Sequence, residues 1–354
     1  MASTRGLFPA AAEHRVIDVH THAMPMPTLR YLADRGLAEL SKVSAGTVYI
    51  ATEVSGVREG TAIPCPPQQY DLDARLAAMA AAGVDHQLIS PPPFFFGSLA
   101  GDVPLVHDVV EMVNDTLVEH VSDYKGQLSA LGVIPVGTAC GADEAKRCLD
   151  ELGMVGVTIG TFGGGRELDD PINEGLWSVL AERSAPVVVH PSRVSSPERV
   201  GEYWLTQLFG FPVETGLAAA RLVFGGVLER HGVTFILAHG GGCLASVRGR
   251  LDKGWNAKPQ ARTTDLPPSA LMRNFYYDSC VFDTAALRGL VETCGASKVL
   301  LGSDFPFDLC DPTPVESVRA LGLAPAEEAA VLGGNAAMLL AGAARAGVPT
   351  GSAD

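Results

Sequence analysis

The chain is short of positive charge. Its 354 residues carry 26 Lys and Arg against 40 Asp and Glu, for a formal net charge of −14 and a pI near 5.1. A nucleic-acid surface needs clustered Lys and Arg to meet phosphates. No such cluster occurs, so nucleic acid is not an expected partner. Paired cysteines are missing as well. Cys65, Cys140, Cys148, Cys243, Cys280, Cys294 and Cys310 are scattered, odd in number and never spaced Cys-x-x-Cys. That argues against a disulfide frame and for reduced thiols in a cytoplasmic protein. No apolar run approaches the ~20 residues of a membrane-spanning helix. Met1 to His14 holds Arg5 and small residues but no apolar stretch of signal-peptide length. A soluble protein without membrane contact is expected.

What is present is ample apolar material: 47% of residues are apolar and 19% charged, enough for one large α/β domain. From Asp85 onward, apolar runs of strand length alternate with amphipathic helices. The predicted strands are Asp85–Pro91, Leu128–Val136, Val155–Thr161, Pro186–Pro191, Val233–His239, Phe275–Phe282 and Val299–Phe305, which with the opening run at Val16–His22 make eight. Helices are expected at Asp71–Ala82, Leu105–Tyr124, Ala142–Leu152, Ile172–Arg183, Glu198–His231 in pieces, Gly242–Gly254, Thr284–Cys294 and Pro314–Ala344. Eight βα units predict a (β/α)8 TIM barrel over residues 1–354, with catalytic groups at the C-terminal strand ends. An open doubly wound sheet is the competing architecture. It requires a Gly-rich phosphate turn after the first strand, where this chain has Thr21-His22-Ala23-Met24-Pro25. Residues 23–69 are rich in breakers and include β-like Thr47–Thr52, so they are expected to form an inserted loop or small β-lobe. Residues 1–15 and 347–354 are expected to be flexible ends.

The strand ends carry the chemistry. Side chains alternate along a strand, so His20 and His22 share one face, about 7 Å apart along the chain. The fifth strand ends in His190, the sixth in His239 and the eighth in Asp304. A barrel brings these ends to one mouth. His20, His22, His190 and Asp304 make a nitrogen-rich set suited to Zn²⁺, one ion per subunit, with Mn²⁺ and Co²⁺ as alternatives. Zn²⁺ can lower the pKa of a bound water from about 15.7 to about 7. The fourth strand ends Thr158-Ile159-Gly160-Thr161-Phe162, with no Lys or Glu to bridge a second ion, so a mononuclear site is predicted. Gly240, Gly241 and Gly242 either permit a tight turn or leave open space beside His239 for substrate.

At these residues the chain resembles the amidohydrolase superfamily, and within it the aminocarboxymuconate semialdehyde decarboxylase-like branch, from about Val16 to Leu340. The stretches that carry the resemblance are Ile17–His22, Val189-His190-Pro191, Glu202–Leu205, Phe224–Val227, Ala238–Gly242 and Leu301–Phe307. The resemblance implies that His20, His22, His190 and Asp304 hold the metal and that His239 is the acid–base residue. It further implies a homodimer in which Arg250 reaches the neighbouring active site to bind substrate. Two departures bear on substrate choice. The arginine usual in the inserted lobe is absent, since no Arg lies between Arg35 and Arg58. The aromatic residue usual after His-Pro is Ser192, followed by Arg193, which is either a substitute carboxylate anchor or a surface residue.

The leading expectation is therefore a metal-dependent, non-oxidative decarboxylase of a small conjugated or aromatic carboxylic acid, with His239 and Asp304 as catalytic residues. A hydrolase or hydratase of the same superfamily, acting on a lactone, amide or unsaturated acid, is the alternative. A barrel that only binds a ligand is the third reading, against which the full set of five chemical residues counts.

Overall fold

The first strand decides where the site falls. Ile17–His22 (β1) is wholly buried and pairs in parallel with His86–Ser90 (β2), but the pairing slips between Asp18 and Thr21, where Val19 and His20 of β1 oppose the single Leu88 of β2. Such a bulge inverts the alternation of side chains. Ile17 and Val19 pack with Leu88, Leu131, Val188, Ile236 and Leu300 in one buried cluster inside the sheet. After the slip, the even-numbered His20 and His22 continue the interior face.

The computed structural model describes residues 15–97 and 103–346. The expected flexible ends lie outside these residues, apart from Arg15. Six further strands follow: Leu128–Ile134 (β3), Gly156–Ile159 (β4), Val187–Val189 (β5), Phe235–Leu237 (β6), Tyr276–Asp278 (β7) and Val299–Leu300 (β8). All eight hydrogen-bond in chain order, and every pairing is parallel. Closure comes from β8 and β1: Val19 N donates to Leu301 O at 2.9 Å, Asp304 N to His20 O at 2.9 Å and His22 N to Phe305 O at 2.7 Å. The eight expected strands are thus the eight staves of a (β/α)8 barrel.

Outward residues such as Ile89, Ile134, Val157, Val187, Phe235 and Val299 bury against the helices, with Trp177 fully enclosed and its ring centroid 5.5 Å from that of Phe235. The helices used below are Leu72–Ala82 (α1), Val103–Val121 (α2), Gly141–Lys146 (α3), Glu174–Glu182 (α4), Phe211–Phe224 (α5), Leu244–Ala257 (α6), Thr284–Cys294 (α7) and Asn335–Ala346 (α8). At α1, Asp71 accepts from Ala74 N at 3.1 Å as N-cap, and Gly83 ends the helix at φ 70°. The single helix expected over Ala142–Leu152 is instead α3 followed by a π-turn at Arg147–Glu151. Ala336 and Leu340 of α8 join the interior cluster and plug the barrel at the end away from the histidines.

Between β1 and α1, the inserted residues form a helix at Met26–Asp34 and a three-stranded antiparallel sheet of Ala38–Glu39, Thr47–Ile50 and Ile63–Pro64. Leu29, Leu32, Val48, Ile50 and Ile63 share a core with Phe95, Phe96, Val109, Val110 and Val113, so the lobe is seated on α2 and the loop after β2.

Candidate metal centre

His20, His22, His190, His239 and Asp304 meet at the C-terminal ends of β1, β5, β6 and β8. One ligand atom from each of His20, His190, His239 and Asp304 lies within 4.8 Å of the others. His22 joins through Nε2, 3.1 Å from Asp304 Oδ1, while His20 Nε2 is 3.3 Å from the same oxygen. His239 Nε2 stands slightly farther off, 3.6 Å from Asp304 Oδ2.

The outer nitrogens are spoken for. His20 Nδ1 donates to Asp278 Oδ2 at 2.7 Å, His22 Nδ1 donates to Ser90 Oγ at 3.0 Å, and His190 Nδ1 donates to the Pro191 carbonyl at 2.7 Å. Each Nδ1–H bond leaves a lone pair on Nε2, directed at the common centre. His20 Nε2 and His190 Nε2 are buried without a hydrogen-bond partner among the described residues. Buried polar atoms are almost always satisfied, so two orphaned imidazole lone pairs facing a carboxylate are the donor arrangement that a divalent cation completes. The electrostatics agree. Burial works against a charged His20, yet Asp304 and Asp278 together push it up to about 10. Burial would raise Asp304, but His20 and its other imidazole neighbours hold it well below the carboxylate range. A site that holds a proton this strongly favours positive charge. His190 shifts the other way, because burial and the neighbouring positive rings keep it neutral and able to ligate.

Asp278, at the end of β7, was missed in the sequence. It is 1% exposed and accepts from four donors: His20 Nδ1 and the backbone amides of His239 (3.0 Å), Gly240 (2.8 Å) and Cys280 (3.2 Å). One carboxylate therefore aims a histidine at the common centre and fixes the backbone that carries His239. Gly302 on β8 makes room for the pair, since a Cβ there would lie 2.7 Å from Asp278 Cβ and 3.0 Å from His20 Cβ. Arg75 of α1 was also missed. Its guanidinium is completely buried, donating to Gln87 Oε1 at 2.7 Å, to Gln68 O at 3.0 Å and to the His22 carbonyl, and burial lowers it to about 9. His239 (φ 55°) and Asp304 (φ 64°) both adopt the left-handed conformation, which costs a residue with a Cβ ~1–3 kcal/mol and clusters at functional sites.

The glycines after His239 do not open space for substrate. A Cβ at Gly240 would meet Val281 at 2.4 Å, one at Gly241 would meet Tyr277 at 2.7 Å, and one at Gly242 would meet the Pro212 carbonyl at 1.8 Å. They serve close packing of the turn, the other use the sequence allowed. Aromatic rings do border the site: Phe307 lies 5.3 Å from His22, Phe94 is 6.2 Å from Phe307, and Phe96 and Phe211 are each 6.2 Å from His190.

A barrel with His-x-His on its first strand, histidines after the fifth and sixth and an aspartate after the eighth matches the amidohydrolase family model over residues 17–341. The chain belongs to this family. It is similar to the 2-amino-3-carboxymuconate-6-semialdehyde decarboxylase of Dictyostelium discoideum, with 34% identity over 274 residues covering 75% of this chain and 76% of that protein. The 6-methylsalicylic acid decarboxylase of Penicillium expansum is 33% identical over 177 residues, 48% of this chain and 54% of that one. In fold, this amidohydrolase resembles the crystal structure of a dihydroxybenzoic acid decarboxylase from a Polaromonas species, with bound manganese and the inhibitor 2-nitroresorcinol. The TM-score is 0.75 at 21% identity, over 93% of this chain and 97% of that one.

Neither candidate substrate arginine makes a hydrogen bond or ion pair with the five-residue cluster. Arg193 follows His190 by three residues and lies against Gly56 of the lobe. Arg250 is exposed on α6, without a hydrogen bond or ion pair to another described residue. No helix among the described residues is long and apolar enough to cross a membrane.

Proposed function

We propose that this chain, a metal-dependent carboxy-lyase, removes carbon dioxide without oxidation from a small aromatic or conjugated carboxylic acid. The observation that carries the reading is the set of inward Nε2 lone pairs around Asp304 with the His239 ring beside them. In this reading His20, His22, His190 and Asp304 hold one divalent ion, zinc with manganese or cobalt as alternatives, and His239 stays unliganded. The ion supplies fixed positive charge that orients the acid and stabilises negative charge developing in the reaction. His239 gives a proton to the ring carbon that bears the carboxylate. The C–C bond then breaks, its electron pair returns to the conjugated system, and carbon dioxide leaves. Asp278 positions both His20 and the His239 backbone. Phe94, Phe96, Phe211 and Phe307 offer apolar walls to a planar substrate.

The chain is further proposed to act as a homodimer in the cytoplasm, with Arg250 completing the neighbour's site. All seven cysteines are free, which suits a reducing compartment. Phe209 in the π-turn just before α5, and Val213 and Leu217 on α5, are spaced by four and exposed at 61%, 37% and 43%. This apolar stripe suits a partner, and α5 packs against α6, which carries Arg250.

The test is a panel of aromatic and muconate-type acids incubated with the metal-loaded protein in ¹⁸O-labelled water. Carbon dioxide release is expected. Label incorporation without carbon dioxide would replace this reading with the hydrolase or hydratase alternative.

A further inference from the structure

Arg193 is a partly buried cation with no anion to match it among the described residues. Two of its neighbours in the loop after β5 are committed elsewhere. Val194 packs against Gly210, and Ser195 donates through N and Oγ to Glu214 Oε1 at 2.6 and 2.7 Å. With those contacts holding the loop, Arg193 extends toward the inserted lobe and covers Gly56. A Cβ on Gly56 would lie 2.1 Å from Nη2 and 2.5 Å from Cζ, so the lobe leaves that space for the guanidinium. Arg193 makes no hydrogen bond or ion pair with a described residue, and burial alone lowers it, to about 10, with no acidic neighbour raising it. Charges withdrawn from water are ordinarily paired. In a chain of net charge −14, a half-enclosed guanidinium without a carboxylate is a place kept for one.

The location gives that place a purpose. The loop after β5 and the lobe after β1 both rise from the C-terminal mouth of the barrel, where His20, His22 and His190 converge. Two residues, Pro191 and Ser192, separate Arg193 from His190, no more than about 11 Å of backbone. We infer that Arg193, cradled by Gly56, is a second carboxylate-binding subsite, and that the substrate carries another carboxylate besides the one lost as carbon dioxide. The planar fork of Arg grips a carboxylate through two parallel hydrogen bonds. The inference rests on the decarboxylase reading and narrows its substrates to diacids.

The experiment measures binding of benzoate and of benzene-1,2-, -1,3- and -1,4-dicarboxylate to the full-length, metal-loaded protein by calorimetry. At least one dicarboxylate is expected to bind about tenfold more tightly than benzoate, a difference of about 1.4 kcal/mol, and R193M is expected to abolish that preference. G56A, which drives a methyl group into the guanidinium, is expected to reduce it and serves if R193M does not fold. Equal affinities for benzoate and all three diacids in the wild type would overturn the inference, as would a preference that survives R193M or G56A. Carbon dioxide release is scored separately. Release from monoacids with no diacid preference would sink this inference alone, whereas Arg193-dependent diacid binding without release from any acid would sink the decarboxylase reading alone.

Discussion

Asp278 accepts a 2.7 Å hydrogen bond from Nδ1 of His20, with both side chains almost fully buried, and through this bond β7 sets the direction in which Nε2 of His20 on β1 faces the carboxylate of Asp304. The same carboxylate holds the amides of His239 and Gly240. D278N keeps the shape but loses the charge that supports His20, and its amide cannot accept from every donor at once. We expect a metal affinity 10–100-fold weaker, together with lower turnover even at saturating metal because the His239 backbone is released. Metal titration by competition with a chelator measures the first effect and saturating-metal kinetics the second. Wild-type affinity in D278N would show that Asp278 only fills space.

His190 and His239 both join the cluster around Asp304 yet are assigned different roles. His190 has Nδ1 bonded to Pro191 O and a bare, buried Nε2, whereas His239 keeps Nδ1 bare and turns Nε2 toward Asp304 Oδ2 at 3.6 Å. H190A is expected to purify without metal. H239A is expected to hold one ion per subunit and lose 10²–10⁴-fold in turnover, the usual share of a general acid. Metal analysis of the two purified variants decides the matter: an empty H239A would make His239 a ligand and move the proton donor elsewhere.

If Arg250 serves the neighbouring subunit, its loss can be complemented. H239A and R250A are each expected to be nearly inactive. Co-expressed in equal amounts, half of the dimers are mixed, and each mixed dimer has one site with both groups intact, so about a quarter of wild-type activity should return in a two-fold symmetric assembly. No recovery, with mixed dimers demonstrated by tagged purification, would place Arg250 outside the site.

The barrel was legible because parallel strands buried on both faces read as apolar runs, and its site because such runs rarely end in His or Asp without cause. Asp278 obeys the same rule at the end of β7 and could have been found by it, but it sits inside the predicted run Phe275–Phe282, where no strand end was marked. Arg75 gave no signal, since an arginine in an Ala-rich helix reads as solvated, and its burial depends on Gln68, Gln87 and His22 arriving from three other segments. The bulge in β1 was likewise hidden. It is a property of the pairing with β2, and local sequence shows only that His20 and His22 share a face.

His86 gives the fold a pH dependence whose sign can be worked out. It lies at the start of β2, fully buried, with Nε2 3.0 Å from Ser129 Oγ, and burial is the largest cause lowering it to about 4. Unfolded, it titrates near 6.5. Above that pH neither state carries the proton, and the stability is whole. As pH falls from 6.5 toward 4 the unfolded chain takes up a proton that the folded chain refuses, so stability declines by up to about 1.4 kcal/mol per pH unit from this residue. His120, also lowered by burial to about 4, adds in the same direction. Urea unfolding of the wild type at a series of pH values between 4.5 and 6 should show this slope, and H86Q should show a shallower one whatever its absolute stability. Parallel slopes in the two proteins would mean that His86 is protonated alike in the folded and unfolded chains.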